Sequence, residues 1–122
     1  MSTHESAENY LETILILQNR LGEVRSVDIV NELEFTRPSV SVAMKKLRES
    51  GDIKMDGDGY ITLTESGMQT AKRMLDRHTM ISKFLTQLGV DEATAAKDAC
   101  RIEHVISEQS FEKISRYVSG DV

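Results

Sequence analysis

Residues 52–64 read DIKMDGDGYITLT. Two short runs, DIKM and YITLT, flank DGDG, whose aspartates and glycines tolerate the positive φ of a tight turn, so the stretch predicts a β-hairpin. Three helical patterns precede it. Tyr10, Leu11, Ile14, Leu15, Leu17 and Leu21 form one apolar stripe that ends at Gly22. Ser26 is expected to cap a short second helix, VDIVNEL, with Val27, Ile29, Val30 and Leu33 on its buried side. After the loop EFTR, Pro38 suits the first turn of a third helix, PSVSVAMKKLRES, which buries Val40, Ala43, Met44 and Leu47 and stops at Gly51. Helix, helix–turn–helix and two-stranded wing is the order of a winged helix–turn–helix domain.

Charge bears on whether such a domain meets DNA. The formal net charge is −5, which argues weakly against phosphate contacts. From Phe35 to Arg48, however, the chain carries Arg37, Lys45, Lys46 and Arg48 and no acidic residue. A three-helix subdomain that merely owns a hairpin is the plainer reading, and this basic segment favours DNA over it. Ser39 and Ser41 lie near the N-terminus of the third helix, the end that enters a major groove, and are placed to reach bases or phosphates. Arg37 and Lys45 suit phosphates, Pro38 and Val42 complete the same surface, and Ser26 and Tyr60 are candidates for backbone contacts.

From Thr64 the pattern TESGMQTAKRMLDRHTMISKFLTQLG predicts a long helix ending at Gly89, its apolar side Met68, Ala71, Met74, Leu75, Ile81, Phe84, Leu85 and Leu88. Asp91 is expected to cap a further helix running to about Ser107. A last amphipathic segment uses Phe111, Ile114, Tyr117 and Val118. The expected fold is mostly α, a winged helix–turn–helix domain over 1–64 and a helical domain over 65–122. The longest aliphatic run, ILIL at 14–17, is too short to span a bilayer. The polar start MSTHESAENY lacks an apolar signal region, so a cytoplasmic location is expected, where a lone cysteine stays reduced.

That cysteine stands in DACRIEHVIS. On a helix Cys100, Glu103 and His104 are neighbours at i, i+3 and i+4, and thiolate, carboxylate and imidazole together suit a divalent transition metal. Singly, each has a plain explanation: a small buried thiol, a solvated charge, an ordinarily hydrogen-bonded ring. Two further histidines exist, His4 in what reads as a loose tail and His78 in the middle of the long helix. Asn9 and Glu12, in ENYLET, share a face of the first helix, where a solvated charge is the simpler account of Glu12.

The stretches SAENYLETIL, VRSVDIVNEL, RPSVSVAMKKL, YITLTESG, RHTMISKFLTQLGV and DACRIEHVIS together resemble, in collinear order, the diphtheria toxin repressor and manganese transport regulator family of metal-dependent transcriptional repressors. The resemblance implies a homodimer whose helical domain binds metal and dimerises, activated by Fe(II) or Mn(II) to bind palindromic operator DNA and repress metal-uptake genes. By position it implies that His78, Glu103 and His104 are metal ligands and that Glu12 matches a ligand of manganese-type members. Cys100 falls where iron-type members have cysteine and manganese-type ones glutamate. Asn9 falls where those branches have methionine or aspartate, and its amide oxygen is a candidate donor. At the positions of the ancillary site of iron-type members stand Ser82 and Ala96, so that site is expected to be altered or absent. Longer members add an SH3-like domain, and the expected architecture here is the short form without it.

Competing readings are a winged-helix repressor answering an organic ligand or partner protein, a metalloenzyme, and a purely structural metal site. Without an HExxH signature or a persuasive nucleophile, no enzyme is expected. The organic-ligand reading predicts that Cys100, Glu103 and His104 point apart or into the core, and that chelators do nothing.

Overall fold

Described over residues 3–120, the computed structural model contains α1 (Thr3–Leu21), α2 (Ser26–Leu33), α3 (Arg37–Glu49), β1 (Ile53–Met55), β2 (Ile61–Leu63), α4 (Glu65–Gln87), α5 (Glu92–Ile102) and α6 (Glu108–Ser119). It divides into two compact units, Met1–Lys72 and Arg73–Val122, so the division falls within α4. Short polar side chains start the helices. Thr36 Oγ1 accepts from Ser39 N at 3.2 Å, Asp91 Oδ2 from Thr94 N at 3.3 Å, and Ser107 Oγ from Ser110 N at 3.1 Å. At α2 the expected cap is wrong by one residue: Ser26 is already helical and Arg25 holds the cap position. Asp28 causes this, its Oδ2 reaching back to accept from Arg25 N at 2.8 Å. His4 likewise belongs to α1 rather than to a loose tail, its exposed ring 3.2 Å from Glu8 Oε2.

In the first unit, α1, α2, α3 and both strands each bury an apolar side. Tyr10, Leu11, Ile14, Leu17, Val24, Ile29, Val40, Met44, Leu47, Ile53 and Ile61 are all buried. The strands pair antiparallel with Ile53 opposite Leu63 and Met55 opposite Ile61, and Val24 adds a bridge to Ile61. Asp56 shapes the wing tip by accepting at Oδ1 from Asp58 N (2.9 Å) and Tyr60 N (3.0 Å). Four apolar residues expected inside lie outside: Leu21, Val27, Leu88 and Tyr117 are 51%, 41%, 61% and 52% exposed. The first three sit at helix ends, where the stripe has turned past the element it packs on, and Tyr117 lies in the last turn of the final helix, its ring edge-on to Phe84.

Asp52 joins the end of α3 to the start of α4. Its carboxylate accepts from Ser50 Oγ at 2.8 Å and from Ser66 Oγ, and its carbonyl accepts from Thr64 N at 3.0 Å. Gly67 packs so closely here that a Cβ would lie 2.0 Å from Asp52 O. In the second unit Ile81, Ala99 and Phe111 form a core flanked by Met80, Leu85, Ile102 and Ile106.

Two stability changes are expected. Gly67→Ala forces the backbone apart at Asp52 and should cost about 2–4 kcal/mol, seen as a drop in thermal midpoint on the order of 10 °C by circular dichroism. Hydrogen bonding from Thr94, through its side chain and then its backbone, holds the Asp91 carboxyl below its usual value. A lowered folded value means stability present above the unfolded pKa of about 3.9 and lost as pH falls through the folded one. Asp91→Ala should therefore lower the melting midpoint near neutral pH, with the gap to the unmodified protein closing as the pH falls below the ordinary carboxylate range and through the lowered folded value.

Candidate functional site

Glu103 is the centre of the second unit's polar cluster. Its side chain has 0% exposure, and a buried carboxylate is costly unless partnered. Oε2 lies 3.1 Å from His78 Nδ1 and Oε1 lies 3.5 Å from His104 Nε2. Donor atoms of Cys100, Glu103 and His104 all fall within 4.8 Å of one another. Two donors bound at about 2.1 Å to one ion stand roughly 3.0–3.4 Å apart, so these spacings fit a shared cation. The thiol, expected on the same face as the carboxylate and the ring, is half-buried beside them. The three do not point apart, one of the two arrangements the organic-ligand reading predicts; the other, burial, holds for the Glu103 and His104 side chains.

The route to this cluster differs from a simple helical face. The fifth helix was expected to reach about Ser107, but α5 ends at Ile102, Glu103 is its C-cap, and His104 stands in the turn that follows. Arg77, on α4, braces that turn. Its Nη1 donates to Glu103 O at 3.0 Å and to Ile106 O at 3.1 Å, and Nη2 donates to Glu108 Oε2 at 2.9 Å. The carbonyls of Ala99, Arg101 and Ile102 accept from main-chain N–H groups of the turn, and the buried guanidinium serves the two beyond them, Glu103 O and Ile106 O. Nothing in the sequence marks Arg77 out except its place next to His78.

On α1, Glu12 is buried and Asn9 half-buried, and Thr13 Oγ1 donates to Asn9 O at 2.8 Å. A solvated charge, the simple account of Glu12, is therefore excluded. Ser82 and Ala96 are both half-buried.

On α3, Pro38, Ser41, Val42 and Lys45 recur at i, i+3, i+4 and i+7 and are all exposed, as are Arg37 and Ser39. Ser39 Oγ accepts from Thr36 Oγ1 at 2.8 Å, which leaves its own proton available. Between α2 and α3, Ser26, Val27, Val30, Arg37 and Ser41 line a cleft of about 200 Å³. Glu34, in the intervening turn, has φ 57°, a left-handed conformation that costs a non-glycine residue roughly 1 kcal/mol or more. On the wing side, Tyr60 is half-buried because the Arg25 guanidinium lies 4.3 Å over its ring. Arg25, not anticipated from the sequence, thus adds a cation beside Tyr60.

Two family models account for nearly the whole chain. Residues 2–65 match the iron dependent repressor N-terminal DNA binding domain, and residues 64–120 match the iron dependent repressor metal binding and dimerisation domain. The chain belongs to the iron-dependent repressor family. An uncharacterised HTH-type transcriptional regulator of Methanocaldococcus jannaschii is 34% identical over 116 residues, 93% of each chain. The HTH-type transcriptional regulator MntR of Lysinibacillus sphaericus is 33% identical over 93% of this chain and 81% of its own. Among solved structures, a manganese-dependent transcriptional repressor complex with manganese superposes with TM-score 0.85 at 26% identity over 95% of this chain, and T. acidophilum IdeR with 0.82 at 26% over 92%. The chain spans about half the length of these two structures, 53% of each. No helix among the described residues is long and apolar enough to cross a membrane.

Within this repressor family module the cluster around Glu103 offers a soft thiolate, and a thiolate bound to Co(II) absorbs in the near ultraviolet. Anaerobic Co(II) titration should therefore produce a thiolate charge-transfer band in the unmodified protein, and Cys100→Ser should abolish the band while leaving the fold intact by circular dichroism.

Proposed function

We propose that this protein is a transcriptional repressor activated by Fe(II) or Mn(II), binding palindromic operator DNA as a homodimer in the cytoplasm and controlling metal uptake. The observation that carries the reading is the convergence of Cys100, Glu103 and His104 within 4.8 Å, around a fully buried carboxylate, in a metal-binding family module. His78, Cys100, Glu103 and His104 would supply donors from the second unit, and Glu12, with Asn9 beside it, from α1. A dication, when bound, would supply the positive charge that offsets the burial of these donors. Glu12 and Asn9 belong to the helix that opens the DNA-binding module, so their engagement is how occupancy would reach the recognition helix.

No DNA contact by the metal is needed. Operator recognition asks that the two α3 helices of a dimer enter grooves about 34 Å apart. It suffices that the donor set closes more favourably in the DNA-competent arrangement, and a coupling of about 1–3 kcal/mol, or 5–150-fold, is typical. Ser39 and Ser41 would reach bases or phosphates, while Arg37 and Lys45 hold phosphates. Val42, 55% exposed on an otherwise polar surface, suits apolar contact such as a thymine methyl. Ser26 and Tyr60, the latter under Arg25, would meet the backbone at the second helix and the wing. Pro38 lies in the first turn of the helix that presents them.

Cys100 sets the selectivity. Carboxylate and amide oxygens favour Mn(II), whereas a thiolate draws the site towards Fe(II), and the donor set here mixes the two. Fluorescence anisotropy of a labelled duplex from the gene's own upstream region tests this anaerobically with chelator, Mn(II) or Fe(II). Binding should tighten about 5–150-fold with metal, and Cys100→Glu should move the preference from Fe(II) towards Mn(II). Equal binding in chelator would overturn the metal switch.

A further inference from the structure

We infer that Arg77 is a positioning residue for the metal centre, fixing through the main chain where the Glu103 carboxylate and the His104 ring stand. The inference rests on the proposed function of that centre and concerns a residue that would not itself touch the ion. Arg77 and His78 are neighbours on α4, yet both address Glu103. His78 Nδ1 meets its carboxylate at 3.1 Å, and Arg77 Nη1 holds its carbonyl at 3.0 Å. One residue is thus clamped at side chain and backbone from a single helix turn. The second bond from Nη1, to Ile106 O at 3.1 Å, spans the turn that carries His104, so both ends of the Glu103–Ile106 segment hang on one guanidinium.

The clamp is built rather than incidental. Arg77 is 8% exposed, its Nη2 donates to Glu108 at 2.9 Å, and its guanidinium carbon lies 5.4 Å from the centre of the Phe111 ring. Phe111 belongs in turn to the core with Ile81 and Ala99. A planar fork with several fixed donors can serve two carbonyls and a carboxylate at once, which a lysine ammonium on a flexible stem cannot do in the same geometry. With the fork gone, the Glu103 and Ile106 carbonyls would seek other partners and α5 could continue past Ile102. Glu103 and His104 would then leave the positions at which their donor atoms share a cluster with Cys100.

The test uses the full chain, with Co(II) as the probe ion, and the variants Arg77→Lys and Arg77→Met. Each is measured for fold by far-ultraviolet circular dichroism, for apo melting midpoint, and for Co(II) affinity and the thiolate charge-transfer band. Loss of a group that orients metal ligands typically costs 10–100-fold in affinity. The expected result is a loss of that size in Arg77→Lys, with the protein folded and the band altered in shape or intensity because Cys100 remains but its partners have moved. Arg77→Met should show at least as large a loss. Wild-type affinity and an unchanged band in a folded Arg77→Lys would overturn the positioning role. So would affinity losses that merely track the fraction of unfolded protein in both variants. Absence of any charge-transfer band in the unmodified protein is a different failure, since it would overturn the proposed metal centre itself.

Discussion

The second unit is organised by the need to keep one carboxylate away from water. Glu103 has no exposed side-chain surface, and a charge so placed survives only with close partners. Its oxygens face His78 and His104, its carbonyl takes Arg77, and its amide still donates to Ala99 O at 2.9 Å, the last regular turn of α5. Every polar part of the residue is therefore committed. Such an arrangement is expensive for a structural core, where an apolar residue would serve as well or better. It is economical for a site that receives a cation, because the anionic and lone-pair donors are already gathered.

The first unit answers a different demand, that of presenting a helix. Its buried side chains come from all three helices and both strands, so α3 is backed along Val40, Met44 and Leu47 while Pro38, Ser41, Val42 and Lys45 look outward. Asp52 and Gly67 tie the end of α3 to the start of α4 through carboxylate, carbonyl and a contact too tight for a methyl. The wing is joined to the body through the Val24–Ile61 bridge and the Arg25–Tyr60 stack. The strained φ at Glu34 lies in the helix–turn–helix corner, the one place among the described residues where a non-glycine side chain adopts a left-handed backbone.

Much of this was legible in the chain. The DGDG hairpin, the proline in the first turn of α3, the capping residue Asp91 and the terminating glycines at 22, 51 and 89 depend on interactions within a few residues, and local interactions are written locally. The misreadings have two causes. Ser26 lost the cap to Arg25 because Asp28 reached back across the helix start. Leu21, Val27 and Leu88 read as buried because periodicity knows which face a residue is on but not where the neighbouring element ends. Collinear resemblance to the repressor family supplied His78 and Glu12 as candidate ligands, which spacing alone would have passed over as an isolated ring and a solvated charge.

The sequence by itself determined the order of elements, the basic outward face of α3 and the presence of thiolate, carboxylate and imidazole within five consecutive positions, because helical spacing and charge runs are properties of neighbours in the chain. Only the tertiary structure decided where α5 stops, that Glu103 is wholly buried, and that His78 and Arg77, some 25 residues away along the chain, close on it from α4. Those facts rest on long-range partners: the carbonyls of a helix end are satisfied by whatever packs against them, and no local pattern states that the partner is Arg77.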